Sequence, residues 1–378
     1  MTDLLRSALP ADHDEILLQA TEREWIVKQA VDGLAEARRA PAYATVNLAR
    51  WFRKNRSLGS RDRRVVADLV HGAIRHEALL LRAGARDPEA LVRGAGAIAA
   101  GERYPHLEAH SAEEDFATAL NVPGPVAAEW LDTLGEAGAL DFAASLNKRP
   151  PVDIRVNTLK TDRSSLQASL AEEGIETRPG DELDTHLEVV GRANLMNTQA
   201  FRDGHFEVQD RSSQALCMAL PVTASTTVMD LCAGAGGKSL ALAARGARVR
   251  ATDVRSKALD ELKKRARRAG ASIAIEQPSP ADLVLVDAPC SGSGRLRRNP
   301  AIRWGLTDQA HRRTQAELLV AATDFVGPGG ILVYATCSLL SRENDHPTPA
   351  GFTITESRTL WPHTDNSDGF YWRVMTRD

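Results

Sequence analysis

A chain of 378 residues exceeds one ordinary hydrophobic core, so two or three domains are expected. With 43% hydrophobic and 26% charged residues the composition is that of a globular protein, which excludes a wholly disordered chain. No apolar run approaches the roughly 20 residues a membrane helix needs, and a net charge of −3 with a pI near 6.4 does not by itself point to nucleic acid.

The N-terminal stretch MTDLLRSALPADHDE is acidic and lacks the basic-then-apolar pattern of a secretory leader. The cysteines Cys217, Cys232, Cys290 and Cys337 show no CxxC spacing and form no disulfide framework, so a reducing cytoplasm is expected. Residues 24–146 read as helical: Ala, Leu, Arg and Glu dominate, and Val65, Val66, Leu69, Val70 and Ile74 recur near the helical period. Pro41, Gly59, Pro123, Pro125 and Pro150–Pro151 punctuate the segments. Within this region Arg50 to Arg64 carries seven basic residues against one acid, Asp62. Further basic clusters run from Arg255 to Arg268 and from Arg295 to Arg303. Taken singly, such a run is more often a solvated helix face than a ligand surface. Together, local patches can bind phosphates while acids elsewhere cancel the sum.

From about Val152 the texture changes. VDIRVNT and HLEVV suggest strands flanking a helix at Ser164 to Glu173, hence a small α+β module over residues 147–205. The remainder, 206–378, alternates strands and helices. VMDLCAG, RVRATDV, ADLVLVDAP and GGILVYATC read as strands; Lys238–Arg245, Ser256–Ala269 and Arg312–Phe325 read as helices. This order predicts an α/β fold, a Rossmann-like doubly wound parallel sheet. There is no internal repeat.

Asp230-Leu-Cys-Ala-Gly-Ala-Gly-Gly-Lys-Ser239 lies where a strand turns into a helix, and its glycines let the backbone approach a ligand closely. A Walker loop needs a glycine where Cys232 stands. The dinucleotide fingerprint needs one where Ser239 stands. S-adenosylmethionine remains as the cofactor. Asp253, ending the next strand, can accept hydrogen bonds from ribose hydroxyls.

Asp287-Ala-Pro-Cys290 follows one strand and Thr336-Cys337 another. Ligands of an open α/β sheet bind at the carboxyl ends of its strands, so both thiols and the carboxylate are expected beside the cofactor loop. Carbon 5 of cytosine is a poor nucleophile; a thiolate adding to carbon 6 breaks the aromaticity and lets carbon 5 take a methyl cation. A carboxyl at ring nitrogen 3 stabilises the charge that develops, and a second acid/base group helps remove the proton on carbon 5. A free thiol titrates near 8.5. A cation such as Lys238 is a candidate to activate it. Cys217 reads as a small buried hydrophobe and Cys232 as a backbone element of the loop. For Cys290 and Cys337 a redox pair stays open as an alternative, and no ligand spacing suggests a metal.

These residues in this order resemble the Sun (Fmu)/Nop2 family of RNA 5-methylcytosine methyltransferases. DLCAGAGGKS resembles its first motif, DAPCSGSGRLRRNPAIRW its proline-cysteine motif and YATCS its threonine-cysteine motif. VQDRSSQ matches its lead-in and Asp368-Gly-Phe-Tyr371 its closing strand. LGSRDRRVVADLVHGAIRH (Leu58 to His76) is similar to the NusB-like RNA-binding domain of bacterial members that act on small-subunit ribosomal RNA. The resemblance implies an all-helical NusB-like domain at 24–146 and Cys337 as nucleophile. Cys290 would assist release and Asp287 would touch the pyrimidine. Cys232, Ala233, Gly234, Ala235, Gly236, Gly237, Lys238, Asp253 and Asp287 would line the cofactor site. Arg61, Arg63, Arg64, Arg298 and Asn299 would contact RNA, and the protein would be a monomer.

Two departures stand out. The family's acid at the adenine end of the cofactor, between Asp253 and Asp287, is missing; Glu276-Gln277-Pro278 stands there, with Gln277 or Ser279 as substitutes, and Asp282 comes too late. After Arg342-Glu-Asn-Asp345 a brief HPTPAG replaces the usual helix, which is expected to remove packing surface beside the nucleophile's loop. Two readings compete: a weakened RNA-binding assembly factor, which the shortened segments suggest, and a methyltransferase acting on amino or oxygen groups.

Overall fold

The computed structural model describes residues 14–40, 44–101, 110–307 and 309–378. The chain forms two compact units: residues up to Pro150 with Ser291–Asp308, and Pro151–Cys290 with Gln309–Asp378.

The first unit is helical. Its helices are α1 (Glu15–Thr21), α2 (Glu24–Arg38), α3 (Ala44–Lys54), α4 (Ser60–Arg75), α5 (Glu77–Arg82), α6 (Pro88–Ala99), α7 (Ala112–Leu120) and α8 (Gly124–Asn147), the last broken at Gly135. The α4 stripe foreseen from spacing is the core: Val65, Val66, Leu69, Val70 and Ile74 are all buried. Starts are set locally. Asp87 caps α6 ahead of Pro88, and Ser111 and Glu114 form a capping box on α7.

Residues 291–307 belong to this unit and not to the C-terminal domain in which the sequence reading set them. The reason is burial. Leu296, Ala301 and Leu306 are lost to solvent, and Trp304 packs on the helical core while its indole N–H donates to Glu77 at 3.1 Å. Buried arginines stitch the segment to carbonyls: Arg75 donates to Arg297 at 3.1 Å, Arg297 to Arg149 at 2.6 Å, and Arg303 to Leu120 at the end of α7. Burial lowers Arg75 to about 10 and Arg303 to about 9.

The second unit holds two sheets. In the smaller, β1 (Val152–Val156), β2 (Thr177–Pro179), β3 (His186–Val189) and β4 (Phe206–Val208) run antiparallel in the order β2-β3-β1-β4, with α9 (Arg163–Glu172) and α10 (Gln199–Arg202) inserted. Because β4 pairs with β1, this sheet runs past the boundary at 205 expected from sequence.

The larger sheet follows α11 (Arg211–Ala219). Its elements are β5 (Thr227–Asp230), α12 (Gly237–Ala244), β6 (Arg248–Ala251), α13 (Ser256–Ala269), β7 (Ile273–Ile275), β8 (Ala281–Asp287), α14 (Ala310–Ala322), β9 (Val326–Thr336), α15 (Ser341–Asn344), β10 (Phe352–Leu360), α16 (Pro362–Asp365) and β11 (Phe370–Arg377). The order is β10-β11-β9-β8-β5-β6-β7. β7, β6, β5, β8 and β9 are parallel, and β11 and β10 close the edge antiparallel. Strands buried on both faces, such as Leu283–Val286, carry the apolar runs this demands. The chain leaves β5 for β6 on one side and returns as β8 on the other. That switch point is where such sheets bind ligands.

Near the loop after β9, Glu343 and His346 are buried, and Thr353 to Thr359 of β10 is exposed.

Candidate active site

The glycine-rich loop joins β5 to α12. Asp230, at the end of β5, is 1% exposed and accepts a hydrogen bond from Ser239 at 2.6 Å, which ties the two ends of the loop together. Burial pushes the Asp230 carboxyl up to about 7. Ala233 donates its N–H to the Thr252 carbonyl at 3.0 Å, and Gly234 donates its own to Asp253 at 2.8 Å. Gly236 adopts φ +83°, and a Cβ there would lie 2.6 Å from Leu262, so only glycine lets α13 approach this closely. Arg265 of α13 donates to the Ala235 carbonyl at 2.8 Å.

Four of the expected catalytic groups come together at the carboxyl ends of β8 and β9 and the start of α12. Lys238 donates to Asp287 at 2.6 Å, with its ammonium 5.0 Å from the centre of the Phe370 ring. Burial draws the Lys238 ammonium down, but Asp287 more than offsets this and holds it above the ordinary lysine value. Cys337 lies close enough to favour the Lys238 charge as well, though less than Asp287 does. Asp287 and Ala335 are neighbours across the parallel β8–β9 ladder, which brings the two loops that follow side by side. The Cys290 and Cys337 sulfurs are 3.4 Å apart, and both residues are half-buried.

A second set of contacts holds the loop that carries Cys337. Thr336 donates to Asn344 at 2.6 Å, Asn344 donates back to the Ser338 carbonyl at 2.9 Å, and the Ser338 hydroxyl donates to the buried Glu343. Gln315 of α14 donates to the Pro289 carbonyl at 2.9 Å, bracing the other loop. Sequence reading passed over Asn344, Glu343, Gln315 and Ser239. Arg342-Glu-Asn-Asp345 was visible as a motif, yet nothing in its spacing showed that it folds back on Thr336.

The other expected residues fall as follows. Cys217 is buried and its thiol is pushed up to about 11 by burial. Cys232 is pushed up to about 12, by burial and then by nearby carboxylates. Neither is poised to react. Arg61, Arg63, Arg64, Arg298 and Asn299 all lie in the helical unit. Arg61 and Arg64 are exposed, while Arg63 donates to the Leu58 carbonyl at 2.9 Å and is partly spent on its own loop. Asn299 accepts from Thr45 at 3.0 Å. At the end of β7, Ser279 accepts from Arg250 at 2.5 Å and Glu276 lies 3.7 Å from the same guanidinium, which leaves Gln277 as the uncommitted polar side chain there. Among the described residues no cluster of His, Cys, Asp and Glu could hold a metal ion.

A doubly wound parallel sheet with an antiparallel closing edge, a glycine turn after its first strand and an acid just beyond the second defines the class I methyltransferase fold. Solved structures agree: PH0851 superposes with a TM-score of 0.73 at 24% identity, covering 92% of this chain and 98% of that one. A methyltransferase homologue from Pyrococcus horikoshii superposes with 0.60 at 21%, covering 71% and 100%. Residues 217–349 match the family described as 16S rRNA methyltransferase RsmB/F, and residues 123–195 match the ferredoxin-like domain of RsmF/B-like proteins. Over these two segments the chain is similar to the RsmB/F family. Ribosomal RNA small subunit methyltransferase B of Pectobacterium carotovorum is 30% identical over 261 residues. The match spans 61% of this chain and 61% of that relative's length.

Proposed function

We propose that this protein transfers a methyl group from S-adenosylmethionine to carbon 5 of a cytosine in RNA, small-subunit ribosomal RNA in view of what its relatives are named for. The observation that carries this reading is the 3.4 Å approach of two thiols beside the Lys238–Asp287 pair, at the sheet edge that bears the glycine turn. An N- or O-methyltransferase has no use for such a pair of thiols.

The donor set suits the cofactor. Asp253 is a carboxylate matched to ribose hydroxyls, the loop from Cys232 to Gly237 offers close backbone approach, and Gly236 keeps α13 near it. When bound, S-adenosylmethionine supplies an electrophilic methyl group. The chain's own residues do the rest. Cys337 adds to carbon 6 of the cytosine, which makes carbon 5 nucleophilic. The Lys238–Asp287 pair, joined at 2.6 Å, delivers a proton to ring nitrogen 3 and so neutralises the charge that thiolate addition puts on the ring. Cys290 assists loss of the carbon 5 proton, after which the Cys337 thiolate leaves.

We further propose that the helical unit is a NusB-like RNA-binding domain, that the protein acts as a cytoplasmic monomer, and that RNA runs along the exposed cations Arg50, Arg53, Lys54, Arg56, Arg61 and Arg64, with Arg298 and Asn299 as further contacts. An unpaired cytosine is the easier target, because one held in a duplex has to be extruded first. Bisulfite sequencing of ribosomal RNA from a deletion strain tests the reading. Loss of methylation at one cytosine supports it; an unchanged profile removes it.

A further inference from the structure

Asp253 lies two residues beyond the end of β6, where the proposed function puts the cofactor's ribose, and its side chain is only 5% exposed. An ionised carboxylate offers about four lone-pair sites. Here all four are taken. Oδ1 accepts from the backbone N–H of Arg255 at 2.8 Å and from its Nε at 3.1 Å. Oδ2 accepts from the backbone N–H of Gly234 at 2.8 Å and from Arg255 Nη2 at 3.3 Å. Burial works against the charge on Asp253, and these bonds from Arg255 and Gly234 more than offset it.

The two backbone donors are fixed by the fold, one by the glycine turn and one by the bend after β6. The guanidinium is different. The Arg255 side chain is 70% exposed, and it touches the glycine turn itself: a Cβ on Gly234 would lie 3.6 Å from Arg255 Nη2. Two of the four acceptor positions are thus held by a side chain that can swing into water at small cost. These are the positions that a vicinal pair of ribose hydroxyls would use.

We propose that Arg255 competes with the cofactor: its guanidinium occupies the hydroxyl-binding face of Asp253 and has to be displaced when the ribose binds. The neighbouring acid follows the same pattern. Glu276, at the end of β7, lies 3.7 Å from Arg250, whose other nitrogens hold Ser279 and the Pro280 carbonyl. Glu276 thus also lies beside an arginine, as Asp253 does.

This inference rests on the cofactor reading, and titration calorimetry of the full-length protein with S-adenosylmethionine separates the two. Arg255→Ala should bind about two- to fivefold more tightly than the wild type at low ionic strength, the range set by exposed ion pairs. The advantage should shrink toward none by about 0.5 M NaCl, where charges at the surface are screened within a few ångströms. Arg255→Lys, which keeps the charge but loses the planar fork, should fall between. Equal or weaker binding by Arg255→Ala overturns the inference and leaves the cofactor reading intact, as does an advantage that salt does not touch. Binding by neither protein overturns the cofactor reading and this inference with it.

Discussion

Cys290 and Cys337 stand 47 residues apart in the chain and bring their sulfurs within 3.4 Å, each just beyond the end of one of two adjacent parallel strands. Only one of them can add to carbon 6 of a given pyrimidine, so their roles separate by mutation. Cys337→Ala should abolish turnover. Cys290→Ala should retain addition and lose release, leaving protein attached to RNA as a denaturant-resistant band on a gel. Normal turnover by Cys290→Ala would reverse the division of labour.

Asn344 bridges Thr336 and the Ser338 carbonyl, on either side of Cys337. Asn344→Ala should cost about 1–3 kcal/mol of stability, the loss of a partly buried hydrogen-bonding pair. It should also lower kcat while S-adenosylmethionine binds as in the wild type. Chemical denaturation and calorimetry on the same preparation check both. A tenfold loss of cofactor affinity would mean that Asn344 supports the glycine turn instead.

Asp230 titrates near 7 when folded and at 3.8 otherwise, because burial disfavours its charge. The folded state keeps this proton where the unfolded chain has released it. The group's contribution to stability is therefore full below about 3.8, and it declines as pH rises toward about 7. Asp230→Asn should remove that decline: relative to the variant, the wild type should lose stability between these limits, by at most about 1.4 kcal/mol per pH unit. Urea denaturation across the range reads it, and parallel pH profiles would count against the assignment.

Gly236 sits at φ +83° with Leu262 of α13 against its Cα. Gly236→Ala adds both backbone strain and a collision, so a fall in cofactor affinity together with a loss of about 1–3 kcal/mol of stability is expected. Leu262→Ala in the same chain should relieve the collision but not the strain. Full rescue of the double variant by thermal melting would show that the strain is negligible.

Arg53, Lys54, Arg56 and Arg61 are exposed on and just after α3 and at the start of α4. Replacing any two by alanine should weaken binding of ribosomal RNA fragments and lower the slope of log affinity against log salt by about 2. Filter binding at several salt concentrations checks this. An unchanged slope would move the RNA path elsewhere on the helical unit.

Much of this architecture could be read from residue order. Ser256–Ala269 is a helix over the expected residues, and the four long strand candidates of the larger sheet all form. The motifs that carry chemistry sit at strand ends, where local signals are strong: an apolar run, then a turn, then a reactive side chain. What escaped was set by pairing between distant segments. β2, β4 and β7 are three residues each, too short for periodicity, and exist because a neighbour supplies their hydrogen bonds. The segment after Cys290 reads as a loop of the catalytic domain until Leu296 and Leu306 are seen buried among helices. The Arg255 contact hides for a related reason: an arginine two places after an aspartate carries no pattern of its own.

The path of residues 291–307 bears on how this protein can be divided. A fragment beginning at Pro151 would still carry that stretch, now with Leu296, Ala301 and Leu306 bared and the Arg303 guanidinium deprived of the Leu120 carbonyl. A fragment ending at Pro150 would lack the same residues from its interior. Neither half is a cassette. Lineages that reshuffle RNA-binding modules by swapping a leading segment would have to replace this inner stretch in the same event.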